Sequence, residues 1–403
     1  MKIACVGGGP TGLYFAILAK VRDRRHEVTV YERNEPGTTH GWGVAWGDEL
    51  LDDVYATDPP TGRALRGTAR MWNGQKVFLD GADPVHIGGR YGFSANRTRI
   101  QDVLTARAAQ LGVDLRYGHA VEDPDTLDAD LVVAADGVGS LVRTHHADAF
   151  GPVFTPGVNR YIWLGTRKTF DSFQWHFRRT EAGWIWCWIY PSANDNSTVI
   201  VECSPETWTG LGFDGPDHDA HLRRLDDLFA EGLSGHRLVD PPAARHPSDW
   251  RIFREIRNRV WHHGRIALAG DAAHTTHFGI GSGTTLAMQD SIQLARLVLT
   301  PGADVPTALA AYTRVRRAAV ERIQEAAATS MRWFETADER LDGQDPVKIA
   351  YSLFDRRNDQ APWRYQLHLA TQIEPLRHVR QQLTAARRTV KGVARDRRHT
   401  AAG

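Results

Sequence analysis

A glycine-rich turn close to the start of the chain limits the folds that this sequence can adopt. The turn spans residues 7–12, reads Gly-Gly-Gly-Pro-Thr-Gly and fits the pattern G-x-G-x-x-G. Residues 2–7 are apolar and predict a short buried strand, while residues 12–20 carry apolar side chains at helical spacing. Residues 28–31 predict a second strand. The chain therefore opens with a β-α-β unit, for which a parallel sheet is expected.

The composition of this turn predicts that it binds the phosphates of a dinucleotide. Gly7 permits the tight turn, Gly9 lets the backbone approach a pyrophosphate, and Gly12 lets the helix pack closely on the strand. The phosphates would lie at the helix N-terminus, where free N–H groups and the helix dipole attract anions. Glu32, about 20 residues later, has the spacing expected of an acid that binds ribose hydroxyls. The residues of the turn that are predicted to contact the cofactor are Gly7, Gly9, Pro10, Thr11 and Gly12.

Two further turns follow predicted buried strands and repeat this logic. The first begins at Asp136 after the strand at residues 131–135, and the second begins at Asp271 after the strand at residues 265–269. The second turn runs into a Gly-Ile-Gly-Ser-Gly segment, residues 279–283, that opens a helix. An Asp at a strand end can bond a ribose or ribitol hydroxyl, and a glycine turn at a helix start aims N–H groups at a ligand. Three such motifs in this order are far more specific than any one of them.

The middle of the chain has a different pattern, in which aromatic and polar residues alternate. It covers residues 152–205 and includes Trp184, Trp186 and Trp188 at every second position. Such alternation predicts antiparallel strands with one face covered, with these three tryptophans on that single face.

Together these patterns predict an α/β fold with an interleaved domain organisation. A Rossmann-like domain with a parallel sheet is expected to enclose an antiparallel-sheet domain that binds the substrate, with helices at the C-terminal end. Residues 34–90 have weak periodicity and predict loops and short strands. The predicted nucleotide-binding domain covers residues 1–72, 92–151 and 255–305; the antiparallel domain covers 73–91 and 152–254; C-terminal helices cover 306–376, and a basic tail, helical or disordered, covers 377–403.

The charge and cysteine content exclude several classes of function. The 49 Lys and Arg balance 48 Asp and Glu, so neither nucleic acid nor a membrane surface is expected as a partner. No apolar run approaches the roughly 18 residues of a membrane span, and the N-terminus has no signal-sequence pattern, so a cytoplasmic location is expected. Three scattered cysteines are too few for a disulfide framework or a zinc site, and no metal site is predicted.

The three motifs resemble those of the group A flavoprotein monooxygenases, the para-hydroxybenzoate hydroxylase superfamily, over about residues 1–375. The resemblance implies FAD as cofactor, with the adenosine half at the first turn and at Glu32 and Arg33. It implies that Arg97 lies on the pyrophosphate side and that Asp136 serves both FAD and NAD(P)H. The remaining residues that the resemblance assigns to FAD are Asp271, near the ribitol, and Gly281, Ser282 and Gly283, which face the isoalloxazine.

The same resemblance implies a reaction. NAD(P)H reduces FAD, O₂ adds to the reduced flavin, and the resulting hydroperoxide passes an OH group to an electron-rich aromatic ring. A dry pocket is needed, because a hydroperoxide that meets water loses its oxygen as H₂O₂. His277 is the candidate catalytic residue, orienting the substrate or relaying a proton, with a structural hydrogen-bonding role as the alternative. The candidate pocket residues are Trp42, Trp175, Trp186, Trp188 and Phe278.

A narrower likeness points to the substrate. The chain is similar to a subgroup that contains the salicylyl-CoA and 2-aminobenzoyl-CoA hydroxylases, and to violacein-pathway indole hydroxylases. The segments that carry this likeness are residues 41–54, 92–94, 197–202, 277–290 and 330–335. It favours an aryl thioester on CoA or a carrier protein. Gly279, Thr285 and Gln289 stand where the CoA-using members carry Ser, Lys and Glu, so an indole or a free aromatic acid stays open as the substrate.

Two other functions are compatible with parts of the sequence. Residues 183–186, Gly-Trp-Ile-Trp, are similar to a motif of flavin-dependent halogenases, although the residues that follow break the register of that motif. The Arg-rich segment after residue 377 would suit a flavin-binding protein that interacts without turnover. The sequence does not indicate an oligomeric state.

Overall fold

Two β-sheets organise the residues that the computed structural model describes, which are 1–38, 41–241 and 248–356. The strands are β1 (Lys2–Val6), β2 (Glu27–Glu32), β3 (Gly43–Trp46), β4 (Arg70–Leu79), β5 (Val85–Asn96), β6 (Asp114–Tyr117), β7 (Leu131–Ala134), β8 (Pro152–Thr166), β9 (Phe173–Thr180), β10 (Gly183–Pro191), β11 (Ser197–Cys203), β12 (Leu238–Val239), β13 (Arg251–Asn258), β14 (His262–His263) and β15 (Ile266–Leu268). The α-helices are α1 (Pro10–Arg22), α2 (Asp48–Thr57), α3 (Pro59–Thr68), α4 (Arg97–Gln110), α5 (Leu141–His145), α6 (Ala147–Phe150), α7 (Pro205–Gly210), α8 (His218–Leu233), α9 (Gly283–Val298), α10 (Val305–Glu335), α11 (Ala337–Leu341) and α12 (Pro346–Asp355). Three short 3₁₀ helices lie at Pro124–Thr126, Gly270–Ala272 and Phe278–Ile280.

The first sheet confirms the predicted β-α-β opening. Within the described residues its strands lie in the order β14-β15-β7-β1-β2-β6, and all pairs except β14 with β15 are parallel. Strand β1 is central, and its apolar side chains are buried against α1, which is itself buried over most of its length. Because the strands are covered on both sides, they read as continuous apolar runs in the sequence.

The second sheet contains the predicted antiparallel strands, with one exception. Its described strands lie in the order β12-β8-β11-β10-β9-β4-β5-β3, and β13 also pairs with β8. The exception is the pair β4 and β9, which is parallel. Strands β3, β4 and β5 come from early in the chain and join strands β8 to β11 from its middle, so the two domains are interleaved as expected.

The tryptophans of β10 lie on one face as predicted, but the expectation of a single covered face is wrong. Trp184, Trp186 and Trp188 share a buried cluster with α10, α11 and α12, while Ile185 and Cys187 face a second buried cluster that includes α8. Helices therefore cover both faces of the sheet. The polar residues that alternate with aromatics in neighbouring strands suggested one wet face, but β10 and β11 are buried almost throughout.

Residues 34–90 contain two helices that the periodicity did not indicate. Helices α2 and α3 have 10 residues each and are separated only by Asp58, which precedes a Pro-Pro pair. Each is too short for a repeat of apolar residues to stand out in the sequence, and the prolines suggested a loop. In the structure Leu50, Leu51 and Val54 bury the inner side of α2.

Three of the predicted domain boundaries fall inside strands, whereas the boundary at 151/152 lies between α6 and β8. Residues 73 and 91 lie within β4 and β5, and the boundary at 254 lies within β13. Each of these strands is continuous and runs from the cofactor side of the molecule to the substrate side, so no break in the chain marks the boundary. The predicted C-terminal helices correspond to α10, α11 and α12 as far as residue 356, and the rest of that region and the basic tail at 377–403 lie outside the described residues.

Helix α10 is the longest helix of the described chain, with 31 residues, and it packs along both sheets. Its buried side chains include Tyr312, which donates a hydrogen bond to the backbone of β15, and Gln324, which donates to the backbone of β13 and of Thr275. Across residues 1–38, 41–241 and 248–356, none of the helices combines the length and apolar character that crossing a bilayer requires.

A fully buried carboxylate, Asp290 on α9, ties several of these elements together. Its oxygens accept hydrogen bonds from the Nε of Arg316 on α10 (2.7 Å), from the Nε2 of His274 (2.7 Å) and from the backbone N–H of Gly270 (2.9 Å). Burial opposes ionisation of Asp290, but the charges and hydrogen bonds of His274 and Arg316 outweigh it and lower the pKa of the carboxyl. The ionised carboxylate is therefore the structural form.

Replacing Asp290 by Asn should destabilise the protein strongly. The change leaves the guanidinium of Arg316 buried without its counter-charge, which typically costs about 3–5 kcal/mol of the free energy of unfolding. Urea unfolding of the purified protein measures this. Asp23→Asn, which breaks an exposed contact with Arg25, is the control and should leave the unfolding midpoint unchanged. Equal midpoints for Asp290→Asn and Asp23→Asn would contradict the role given to Asp290.

Candidate functional site

A large cavity lies at the carboxyl ends of the parallel strands of the first sheet. It has a volume of about 1610 Å³, which exceeds the roughly 300–1,000 Å³ of an ordinary small-molecule site. Strands β1, β2, β7 and β15 all end at it, which is where open α/β sheets bind their ligands. The cavity continues from there along the inner face of the second sheet, so it can hold a cofactor and a second molecule.

The first glycine turn forms one end of the cavity. Gly7 has φ +108°, and a Cβ there would lie 2.3 Å from the carbonyl oxygen of Ala135, so only glycine fits. A Cβ on Gly12 would lie 2.0 Å from the carbonyl oxygen of Gly7, which explains the close packing of α1 on β1. Gly9 faces open space, and α1 begins there without a side-chain cap. Its first N–H groups are therefore available for an anion.

Glu32 lies at the end of β2 next to this turn. One carboxylate oxygen accepts a hydrogen bond from the N–H of Gly8 (2.8 Å), and the other accepts from the backbone and side-chain N–H groups of Asn34 (2.8 and 2.7 Å). These bonds hold the carboxylate beside the turn with acceptor capacity left for ribose hydroxyls. Arg33 also lines the cavity here.

Two aspartates present carboxylate oxygens to the cavity. One oxygen of Asp136 accepts from the N–H groups of Leu141 and Val142, while its Oδ1 is buried and makes no hydrogen bond in the described chain. Burial raises the pKa of Asp136 despite these bonds. Asp271 lines the cavity. Desolvation by the surrounding protein raises the pKa of its carboxyl, and the charges of His274 and Arg97 act in the opposite direction. Such acceptors suit the hydroxyl groups of a ribose or ribitol.

The second glycine turn places another helix N-terminus at the cavity. Gly281, Ser282 and Gly283 line it, and α9 begins at Gly283 without a side-chain cap. The 16-residue helix directs its positive dipole end at the cavity. Arg97, the first residue of α4, lies on the same wall with its guanidinium 5.2 Å from the ring centre of Trp163.

Aromatic side chains form the part of the cavity that faces the second sheet. Trp175 and Trp188 pack at 5.0 Å between ring centres, and Phe278 packs on Trp188 at 4.9 Å. Phe334 lies behind both tryptophans. The other aromatic residues that line this part include Tyr161, Trp163, Phe173 and Tyr190.

The arrangement fits FAD. Two uncapped helix N-termini suit its pyrophosphate and the pyrimidine edge of its flavin, and the carboxylate oxygens of Glu32, Asp136 and Asp271 at the cavity suit its sugar and ribitol hydroxyls. The FAD binding domain family matches residues 95–327 of the chain, which is more than half of it.

Relatives agree with this match. Salicyloyl-CoA 5-hydroxylase from a Streptomyces species is 37% identical over 88% of the chain and 70% of the relative. The 3-hydroxy-4-methyl-anthranilyl-[aryl-carrier protein] 5-monooxygenase of Streptosporangium sibiricum is 35% identical over 83% of the chain and 89% of the relative. The chain belongs to the FAD-dependent aromatic monooxygenases. Protodeoxyviolaceinate monooxygenase of Chromobacterium violaceum is 29% identical over 85% of the chain and 91% of the relative.

Solved structures show the same fold. The crystal structure of p-nitrophenol 4-monooxygenase from Pseudomonas putida DLL-E4 has a TM-score of 0.70 and 18% identity, and covers 93% of this chain and 97% of that one. This monooxygenase therefore has the predicted Rossmann-like and antiparallel-sheet architecture. Its family and its relatives show that it is an enzyme that hydroxylates an aromatic ring with FAD.

The structure brings most of the predicted site residues to one cavity. The predicted residues that line it are Gly7, Gly9, Pro10, Thr11, Glu32, Arg33, Arg97, Asp136, Trp175, Trp188, Asp271, Phe278, Gly281, Ser282 and Gly283. Gly12, Trp42, Trp186 and His277 do not line it. Gly12 instead makes the close helix–strand contact described above.

Trp42 and Trp186 are packed elsewhere, so the structure does not support them as pocket residues. The ring of Trp42 lies over Gly165, and its indole N–H donates to the carbonyl of Val239 (3.2 Å). The indole N–H of Trp186 donates to Glu202 (3.3 Å), and burial raises the pKa of that carboxyl to about 8. Trp186 shares its sheet face with Trp188, but it lies two residues earlier in β10 and does not line the cavity.

His277 lies behind the cavity wall and not in it. The side chain is 3% exposed, and its Nδ1 accepts a hydrogen bond from the N–H of Gly279 (3.3 Å). Phe253 and Phe278 pack against its ring at 5.1 and 4.1 Å. Burial lowers the pKa of His277 to about 3, so the ring is neutral at physiological pH. This geometry agrees with the structural alternative and not with a catalytic role.

Several cavity residues were missed, although a signal for some of them was present. Tyr161 and Trp163 are two residues apart on β8, and Tyr190 continues the alternation of β10 by one more step. Following the period of two through these strands would have placed all three on the face that holds Trp188. Nothing local indicated Arg356, which reaches the cavity from the end of α12.

Asp271→Ala should weaken FAD binding more than it weakens the fold. Loss of one acceptor for a cofactor hydroxyl should cost on the order of 1–3 kcal/mol of binding free energy. Flavin fluorescence titration of the apoprotein measures the affinity, and urea unfolding of the apoprotein measures the stability. Asp130→Ala, a change at the amino ends of β1 and β7 and away from the cavity, serves as the control. Full retention of flavin at micromolar protein would contradict the assignment.

His277→Asn should leave the pH profile of turnover unchanged and alter the pH dependence of stability. The folded form holds this imidazole neutral down to about pH 3, whereas in the unfolded chain it protonates near 6.5. The unfolded state therefore binds more protons between these values, and stability falls as pH drops through that window. Removing the group should reduce this slope by up to about 1.4 kcal/mol per pH unit. A lost limb in the pH–rate profile would instead support catalysis.

Proposed function

We propose that this monooxygenase hydroxylates an aromatic ring held as a thioester, an aminobenzoyl or hydroxybenzoyl group on CoA or on a carrier protein. NAD(P)H and O₂ would be its co-substrates. The observation that carries the proposal is that two relatives at 37% and 35% identity bear names that specify an aryl-CoA and an aryl-carrier substrate. Both likenesses cover more than four fifths of the chain.

The shape of the cavity supports a substrate with a long arm. Its aromatic part lies beside the second glycine turn, and its wall continues past Ser248, Asp249 and Arg251 toward the surface. Arg251 is exposed and is the direct cross-strand neighbour of Tyr161. A ring could therefore sit among the aromatic side chains while a pantetheine arm extends outward past Arg251.

The residues of the inner cavity would orient the ring and keep water away. Bound FAD, reduced by NAD(P)H, would supply activated oxygen from O₂. Trp188 and Phe278 present flat apolar surfaces, and buried side chains of α10 to α12 pack against them on the same face of the sheet, which limits the access of water. The N-terminus of α9 would stabilise negative charge on the flavin side of the cavity.

Two of the three departures from the CoA-using pattern, Gly279 and Gln289, have structural explanations. A Cβ at Gly279 would lie 2.7 Å from the ring of Trp188, so glycine makes room for this tryptophan. Thr285 does not line the cavity. Gln289 donates to Asp53 (2.9 Å), a contact that Glu could not make without protonation.

An indole-derived substrate is the second candidate. The observation in its favour is the 29% identity to protodeoxyviolaceinate monooxygenase. A tryptophan-lined pocket suits an indole as well as a benzoyl ring. The comparisons give no support to a halogenase or to a flavin-binding protein without turnover.

Substrate-stimulated oxidation of NAD(P)H distinguishes these candidates. Salicylyl-CoA, 2-aminobenzoyl-CoA, the two free acids and tryptophan would be compared side by side, with product mass measured. The thioesters should stimulate oxidation and gain one oxygen atom. The pantetheine thioesters of the same two acids are the matched control, because they keep the ring and the thioester and lack the nucleotide of CoA. Turnover of the free acids or tryptophan with the thioesters inert would contradict the proposal.

A further inference from the structure

A group of histidine and aspartate side chains lies outside the cavity, at the far end of α5. It consists of Asp125, His145 and His146, with Asp123 beside them, and is called the His–Asp cluster below. None of the four residues lines the cofactor cavity. The cluster joins the short 3₁₀ helix at Pro124–Thr126 to the junction between α5 and α6.

Local structure brings the four side chains to one point. Asp123 caps the 3₁₀ helix, because its Oδ1 accepts a hydrogen bond from the N–H of Asp125 (2.9 Å) and so holds Asp125 in place. Ser140 caps the start of α5 in the same way. His145 is the last residue of α5, and His146 leaves the helix with φ −109° and ψ 39°, so the two consecutive rings can turn to the same carboxylate.

Both imidazoles direct their Nε2 atoms at this carboxylate. The Nε2 of His146 lies 3.3 Å from the Oδ2 of Asp125, and the Nε2 of His145 lies 4.0 Å from the same oxygen. The Nε2 of His145 is also 3.6 Å from the Oδ1 of Asp123. The three atoms contributed by Asp125, His145 and His146 all lie within 4.8 Å of one another.

The Nε2 of His146 is inaccessible to solvent and makes no hydrogen bond within the described chain. The ring is held from behind by Phe150 and His263, whose centres are 6.1 and 5.0 Å from its own. A buried imidazole nitrogen that makes no well-formed hydrogen bond, although a carboxylate oxygen lies 3.3 Å away, is uncommon in proteins and suits an ion shared by the two atoms. Because the ring is packed on its other sides, this nitrogen can find a partner only toward Asp125.

The spacing of the three atoms matches the ligands of a tetrahedral metal ion. Zinc binds imidazole nitrogen and carboxylate oxygen at about 2.0–2.2 Å, so two of its ligands in a tetrahedron are about 3.4 Å apart. The separations of 3.3 and 4.0 Å from Asp125 bracket this value, and Asp123 or water can complete the set. Imidazole and carboxylate together are ligands that zinc, cobalt and nickel share.

We propose that the His–Asp cluster binds one divalent transition-metal ion, of which Zn²⁺ is the probe of choice. The bound ion would link residues 123–125 to the end of α5, the helix whose first N–H groups hold Asp136 at the cavity. The site would stabilise the fold and take no part in oxygen transfer. It does not depend on the identity of the aromatic substrate.

Calorimetric titration of Zn²⁺ into the tag-free, FAD-loaded enzyme tests the proposal. A saturable site of one ion per chain is expected, and Zn²⁺ should raise the Tm of the holoenzyme. Asp125→Asn and His145→Gln each remove one ligand of the ion. Each should weaken zinc binding by at least about tenfold, because changing a residue that only supports a metal ligand already costs about that much. The three cysteines are buried and offer no thiolate to compete.

His218→Gln is the matched control. It removes another histidine that faces a single carboxylate, with its Nε2 2.8 Å from the Oδ2 of Asp240, and should leave zinc binding unchanged. Equal zinc affinity in Asp125→Asn, His145→Gln and the unmodified enzyme would overturn the proposal. A titration without saturation would overturn it as well, since it would leave only an ion pair between Asp125 and its histidines.

Discussion

The buried carboxylate of Asp290 connects the helical core of the protein to the cofactor cavity. A charge in the interior is stable only while its partners stay in place, so the residues that satisfy it cannot move independently. Those partners come from α10, from the segment after β15 and from the backbone at Gly270. Asp271 follows Gly270 directly. Its position at the cavity is therefore set by an ion pair that lies entirely outside the cavity.

A second consequence follows from the helices on both sides of the antiparallel sheet. Because α8 covers one face and α10 to α12 cover the other, buried side chains pack against the aromatic wall of the cavity on its own face and across the sheet. Phe334 of α10 backs both Trp175 and Trp188. An enzyme that handles activated oxygen requires exclusion of water, and the packing of α10 beside the cavity tryptophans and of α8 on the opposite face of the sheet serves it here.

The cofactor motifs could be predicted from the sequence because each is a local device. A strand, a turn that only glycine can form and the start of a helix lie within about a dozen residues, and the parallel sheet then brings the strand ends together. The alternation of β10 was equally local and correctly placed its tryptophans on one face. Helices α2 and α3 escaped prediction because each is short and proline-bounded, with little periodicity to detect.

The sequence by itself determined that the chain binds a dinucleotide at the carboxyl edge of a parallel sheet, and which backbone turns do so, because those features depend on neighbours in the chain. Only the tertiary structure decided which aromatic and histidine side chains face the cavity. Trp186 and Trp188 are equivalent by periodicity and both contact Phe334, yet Trp186 donates to the buried Glu202 while Trp188 lines the cavity. His277 and Phe278 are adjacent, yet only Phe278 lines the cavity. Residues distant in the chain decide such differences, and no local pattern encodes them.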